Sequence, residues 1–158
     1  MGMVVRRRGI TVIELVIVLA IVAILTVLVV PNLGGWVQHY RIKGVVRHIV
    51  SQMELAKIKA LKNNLEYRVY FDKTIGTFEL QRGNRPAMSP SWIREAGPYQ
   101  LPRQVTMSVT FASDAVQFNP HGTAGSGRVV LATPHNEKYT ITVTTSTGKI
   151  NTHKGEIE

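Results

Sequence analysis

The sequence predicts an α+β protein: a long N-terminal helix, half transmembrane and half amphipathic, packed on a C-terminal antiparallel β-sheet domain. Three observations predict it. From Leu15 to Val30 the chain is uncharged and apolar, with Thr26 the one polar residue. From Leu33 to Leu61 apolar residues recur in steps of three and four, the signature of a helix with one buried face. Beyond Asn64 the period changes to two, which is the alternation of strands. These shifts divide the chain into a basic leader (1–9), a transmembrane helix (10–31), a stem helix (32–63) and a β-rich head (64–158).

Ile10 to Val30 would span roughly 31 Å as a helix, about one hydrocarbon core. A secretory signal peptide has a shorter apolar region ending at a small-x-small cleavage site. Here the run is longer and ends in VVPNLGG, so the segment is expected to stay with the mature protein. Arg6, Arg7 and Arg8 abut the run and favour an N-in topology, with the head outside the cytoplasm. Arg41, Lys43 and Arg47 lie within the counting window on the other side and pull the opposite way.

The net charge of +9 suggests nucleic acid or anionic lipid as partners, but its distribution narrows that reading. Residues 32–63 carry six Lys/Arg against Glu54 alone, whereas residues 64–158 carry ten Lys/Arg against eight Asp/Glu. The basic character belongs to the leader and the stem. With no cysteine, a disulfide framework and thiolate metal or redox sites are excluded.

Two residues of the apolar segment stand out. A carboxylate in hydrocarbon costs a few kcal/mol, so Glu14 either has a partner or sits near the interface and does nothing. Pro31 lacks an N–H and crowds the Val27 carbonyl, so it either kinks the helix or simply ends it.

The stretch Arg6-Arg7-Arg8-Gly9 followed by ITVIELVIVLAIVAIL resembles the class III prepilin signal of type IV pilins and type II secretion pseudopilins. The resemblance implies a pilin-like fold and cleavage by a prepilin peptidase between Gly9 and Ile10. It places Glu14 fifth and Pro31 twenty-second in the mature chain, as the family has them. The first mature residue is Ile10 where the family usually has Phe, which bears on methylation more than on cleavage. The family's acid is thought to pair with the new N-terminal amine of a neighbouring subunit. The partners implied are other pilin or pseudopilin subunits, the peptidase, an inner-membrane assembly platform and the bacterial inner membrane itself, crossed once.

In the head, EYRVYF (66–71) and TFELQ (77–81) read as a hairpin, and residues 82–103, with four prolines, as a loop. Further strands are expected at 105–111, 115–118, 128–133, 139–145 and 149–153. This layout resembles the H-type minor pseudopilins and related minor pilins (the GspH/FimT family). The pieces carrying it are Phe118-Asn119-Pro120-His121-Gly122, the turn Gly125-Ser126-Gly127, and Gly148-Lys149-Ile150. It implies a structural subunit of a type II secretion pseudopilus or type IV pilus. The alternative it implies is a tip-located module of a competence-type pilus that contacts DNA, through Lys149 and Lys154.

Catalytic chemistry is not legible. GTAGSG (122–127) has its glycines in the wrong order for a dinucleotide fingerprint and precedes a strand, so it reads as a hairpin turn. His39, His48, His121, His135 and His153 form no metal-binding pair and are expected at the surface. No nucleophile has a base, so neither an enzyme, a metal nor a cofactor is expected.

Overall fold

The computed structural model describes residues 11–29 and 33–155, which belong to two compact units, Met1–Val37 and Gln38–Glu158. The first contains helix α1, Val12–Val29. Thr11 caps it: its Oγ1 accepts the Glu14 N–H at 3.3 Å, and its carbonyl accepts the Leu15 N–H at 3.2 Å. Thr-x-x-Glu at a helix start is the spacing of a capping box, and it sets the Glu14 carboxylate in the first turn, at the positive end of the helix dipole. Beyond it α1 is apolar all round, and Leu15, Ile17, Leu19, Ile21 and Ile24 are all more than half exposed. The Thr26 hydroxyl donates back to the Val22 carbonyl at 2.7 Å, so its polarity is satisfied within the helix. Among the described residues no helix is long and apolar enough to cross a membrane. The 18 residues of α1 span about 27 Å, slightly less than a hydrocarbon core.

Helix α2 runs Leu33–Asn63. Its buried stripe is Ile42, Val46, Ile49, Met53, Ala56 and Ala60, each 7% exposed or less. The alternating four-three spacing keeps these six on one face, and each large side chain so buried contributes about 1.5–3 kcal/mol. Tyr40 and Leu61, which belong to the three-and-four apolar series of the sequence, are 64% and 50% exposed. Tyr40 stands two positions before Ile42 and Leu61 one after Ala60, about 200° and 100° round the helix from the buried line. The helix stops at Asn63, and Asn64 follows with φ of 52°, a left-handed conformation that asparagine tolerates better than most residues.

Eight strands follow: β1 Tyr67–Asp72, β2 Thr77–Gly83, β3 Trp92–Gln100, β4 Thr106–Val109, β5 Ala115–Phe118, β6 Gly127–Ala132, β7 Lys138–Thr144 and β8 Lys149–Lys154. They form two four-stranded antiparallel sheets, in the orders β3-β2-β1-β5 and β4-β6-β7-β8. The α+β expectation holds, with two sheets in the head. Tyr67, Val69 and Phe71 of β1, Phe78 and Leu80 of β2, and Val129, Leu131 and Ile141 of the second sheet join the α2 stripe in one core.

Three sequence-based expectations need correction. The expected loop 82–103 contains β3, a nine-residue strand. β3 lies at a sheet edge, and the pairing slips between Phe78 and Leu80 so that Gly97 and Pro98 have no register partner. An edge with a bulge is where a strand accepts proline. Second, the segment 122–127 is not a hairpin turn. It carries the chain from β5 in one sheet to β6 in the other. The Gly125 N–H donates to the Gln117 carbonyl, and the Ala124 N–H to that of Thr145, each at 2.9 Å. Third, His48 is not a free surface residue. It is half-buried, edge-on to Tyr99 and Phe78 at centroid distances of 4.3 and 5.2 Å. His121, His135 and His153 are exposed as expected.

Candidate functional site

The residues singled out in sequence fall in separate places. Gly9, Ile10 and Pro31 lie outside the described residues. Glu14 stands exposed in the first turn of α1, three residues after its cap. The local role this gives it, completing a helix start, is independent of any intersubunit role.

The head motif does come together. Phe118 is buried at 1% exposure and bridges to Ala124. Gly122, at φ of 83°, closes the next turn by donating its N–H to the Asn119 carbonyl at 3.0 Å. Gly148 arrives from the turn between β7 and β8 with φ of 57°. A Cβ built there would lie 2.9 Å from the Gly122 oxygen and 3.6 Å from Phe118 Cδ1. Residues thirty apart in sequence thus share one knot of backbone, where only glycine fits at 148.

Lys149 and Lys154 are not brought together. They occupy the two ends of β8, opposite Thr144 and Tyr139. Five residues apart along a strand, they project to opposite faces, roughly 17 Å from each other along the chain.

Two arrangements had no sequence signal. The buried Glu66 carboxylate accepts the N–H groups of Met88 and Ser89 at 3.0 and 2.7 Å and the Gln117 amide at 2.7 Å. A carboxylate with such donors holds the 84–91 segment against the sheet. Beside it, Arg68 lies over the Trp92 ring at 4.1 Å and donates to Gln81 Oε1 at 2.6 Å. Burial lowers its pKa, an effect opposed by Tyr70 and Glu79. Arg68, Trp92, Met88 and Gln117 line a groove of about 530 Å³. The pairs depend on strand register across β1, β3 and β5, which no local pattern encodes. Among the described residues, no group of three His, Cys, Asp or Glu could hold a metal ion.

The family model for type II transport protein GspH matches residues 45–148. The chain belongs to the GspH family. The match begins within α2 and ends at Gly148, so it takes in the whole Phe118–Gly122–Gly148 knot. Among solved structures, the minor pseudopilin EpsH from the Type 2 Secretion System of Vibrio cholerae has the same fold. The TM-score is 0.60 at 10% identity, over 72% of this chain and 97% of that one. No curated protein matches the sequence. This GspH-family head therefore has the α+β architecture expected of it, a helix packed on antiparallel sheet.

Proposed function

We propose that this chain is a minor pseudopilin, a structural subunit of the type II secretion system. The observation that carries the reading is the GspH-family match across the head, together with a fold shared with EpsH. Membership of this family implies a membrane-anchored subunit that assembles with other pseudopilins.

The finer steps rest on the N-terminal residues. A prepilin peptidase of the inner membrane cleaves between Gly9 and Ile10 and the new amine is methylated. The apolar segment 10–31 anchors the subunit with its head outside the cytoplasm. The all-round apolar surface of α1 supports this, because such a helix has no reason to stay in water. On assembly, Glu14 pairs with the amine of a neighbouring Ile10, and an assembly platform feeds the subunit into the filament. An acid left unpaired in an apolar setting is relieved only when that neighbour is in register. The DNA-contact alternative gains no support from Lys149 and Lys154, which face apart.

The test is intact mass and N-terminal sequence after co-expression with and without a prepilin peptidase. Loss of residues 1–9 only with the peptidase, blocked in Gly9→Val, is the expected result. An intact N-terminus in its presence would overturn the processing step.

A further inference from the structure

On the far side of α2 from its buried stripe, Leu55, Ile58 and Leu61 follow one another at intervals of three and are 36%, 57% and 50% exposed. Residues three apart on a helix are neighbours, so these form one apolar row along its last turns. Ile58 lies two positions past Ala56, about 200° round from the buried line. The packing that covers Met53, Ala56 and Ala60 therefore leaves the row in solvent. The other large apolar side chains exposed among the described residues of this unit, Tyr40, Ile75, Met88 and Ile93, stand apart from one another in the chain. Single exposed apolar residues are ordinary on a surface, whereas a contiguous row marks a contact.

The surroundings of the row say which kind of contact. Arg47, Ser51 and Lys62 continue the same helix face and are exposed, so a cation stands beyond each end of the row. Glu54 is the one acid of the stem, against six Lys/Arg across residues 32–63. A second copy laid in parallel register would set Arg47 on Arg47 and Lys62 on Lys62. Laid antiparallel, it would set Arg47 on Lys62, with Glu54 alone to offset them. Like charges so placed reject a partner, and opposite charges select one. We propose that the row Leu55, Ile58 and Leu61 docks the stem helix of a different pseudopilin, one whose own apolar row is flanked by carboxylates. Apolar burial supplies the affinity and the flanking charges supply the choice of partner. The proposal rests on the reading of this chain as a pseudopilin and makes that contact heterotypic.

The chain has no cysteine, so Ile58→Cys introduces a single thiol for a benzophenone maleimide. The labelled full chain, in neutral detergent, is mixed in turn with each other pseudopilin of its secretion system and with unlabelled copies of itself, then illuminated. Products are located by peptide mass. The expected result is a covalent product with another pseudopilin, at a stem peptide containing Asp or Glu. Lys62→Glu should reduce it several-fold, and raised salt should weaken it, because the selecting charges are exposed. The same label at Ile75→Cys, exposed on the β1–β2 turn, should give no such product. Unchanged urea midpoints for Ile58→Cys and Lys62→Glu show that neither variant acts through the fold. A product mainly with the chain's own copies, one no stronger than from position 75, or one indifferent to Lys62→Glu would overturn the proposal. Co-purification separates the two readings: subunits that associate without a product at position 58 sink the row alone. Association with none of them sinks the pseudopilin reading as well.

Discussion

Gly148 packs against the carbonyl of Gly122 so closely that a Cβ on it would sit 2.9 Å from that oxygen. The two glycines, with Phe118 beneath them, fasten the β7–β8 turn to the end of β5 and so tie the two sheets together. Gly148→Ala is expected to cost about 1–3 kcal/mol, from the left-handed φ and the close contact together. Gly44, in the middle of α2, has nothing within 4 Å of where its Cβ would be. Gly44→Ala should instead gain roughly 0.5–1 kcal/mol through helix propensity. Urea unfolding of the two variants checks the opposite signs.

Glu66 is 3% exposed and has three donors committed to its carboxylate. Glu66→Ala strands those donors and should lose about 2–4 kcal/mol. Glu66→Gln, which keeps the shape but turns an acceptor into a donor, should lose less. Hydrogen exchange at the Met88 and Ser89 amides is the direct readout: both should speed up in either variant.

The stem's two faces predict a contrast along one helix. Ile49 is fully buried, and Ile49→Ala should cost about 2–5 kcal/mol. Ile58, 57% exposed on the same helix, should tolerate alanine within about 0.5 kcal/mol. Equal losses from both would mean that Ile58 is covered in the assembled form of the protein.

Glu14 has two roles to separate, the helix start and the proposed intersubunit pair. Thr11→Ala removes the oxygen that caps the Glu14 N–H and should loosen the first turn without removing the carboxylate. Glu14→Gln keeps the cap and removes the charge. If assembly needs the charge, Glu14→Gln is processed normally yet co-purifies with other pseudopilins several-fold less, while Thr11→Ala assembles. The reverse ranking would assign Glu14 to the cap alone.

Lys149→Ala/Lys154→Ala should leave retention on a DNA column unchanged across a salt series, because the two side chains face apart. Salt-sensitive retention abolished by the pair would restore the DNA reading.

The strongest sequence signals were periodic or sat at fixed spacings. The four-three spacing through α2, the alternation in β1 and β7, and the Phe118–Gly122 spacing are local patterns, confined to a few neighbouring residues. β3 was hidden because Pro98 argues against a strand, and only its place at a bulged edge makes that residue acceptable. The crossover at 122–127 read as a hairpin because its glycines mark a turn without saying which sheet the next strand joins.

By itself the sequence determined a helix–sheet protein with an apolar N-terminal segment, an amphipathic stem ending at Asn63 and the turn glycines of a GspH-type head. Local propensity and burial period suffice for the helix and strand elements, and the head glycines point to the GspH type through their resemblance to that family. Tertiary structure alone decided the division into two sheets, the Glu66 clamp on the 84–91 segment, and Arg68 over Trp92. Each of these joins residues tens of positions apart. Their contact depends on strand order and register, which the whole core selects together and no short stretch of sequence encodes.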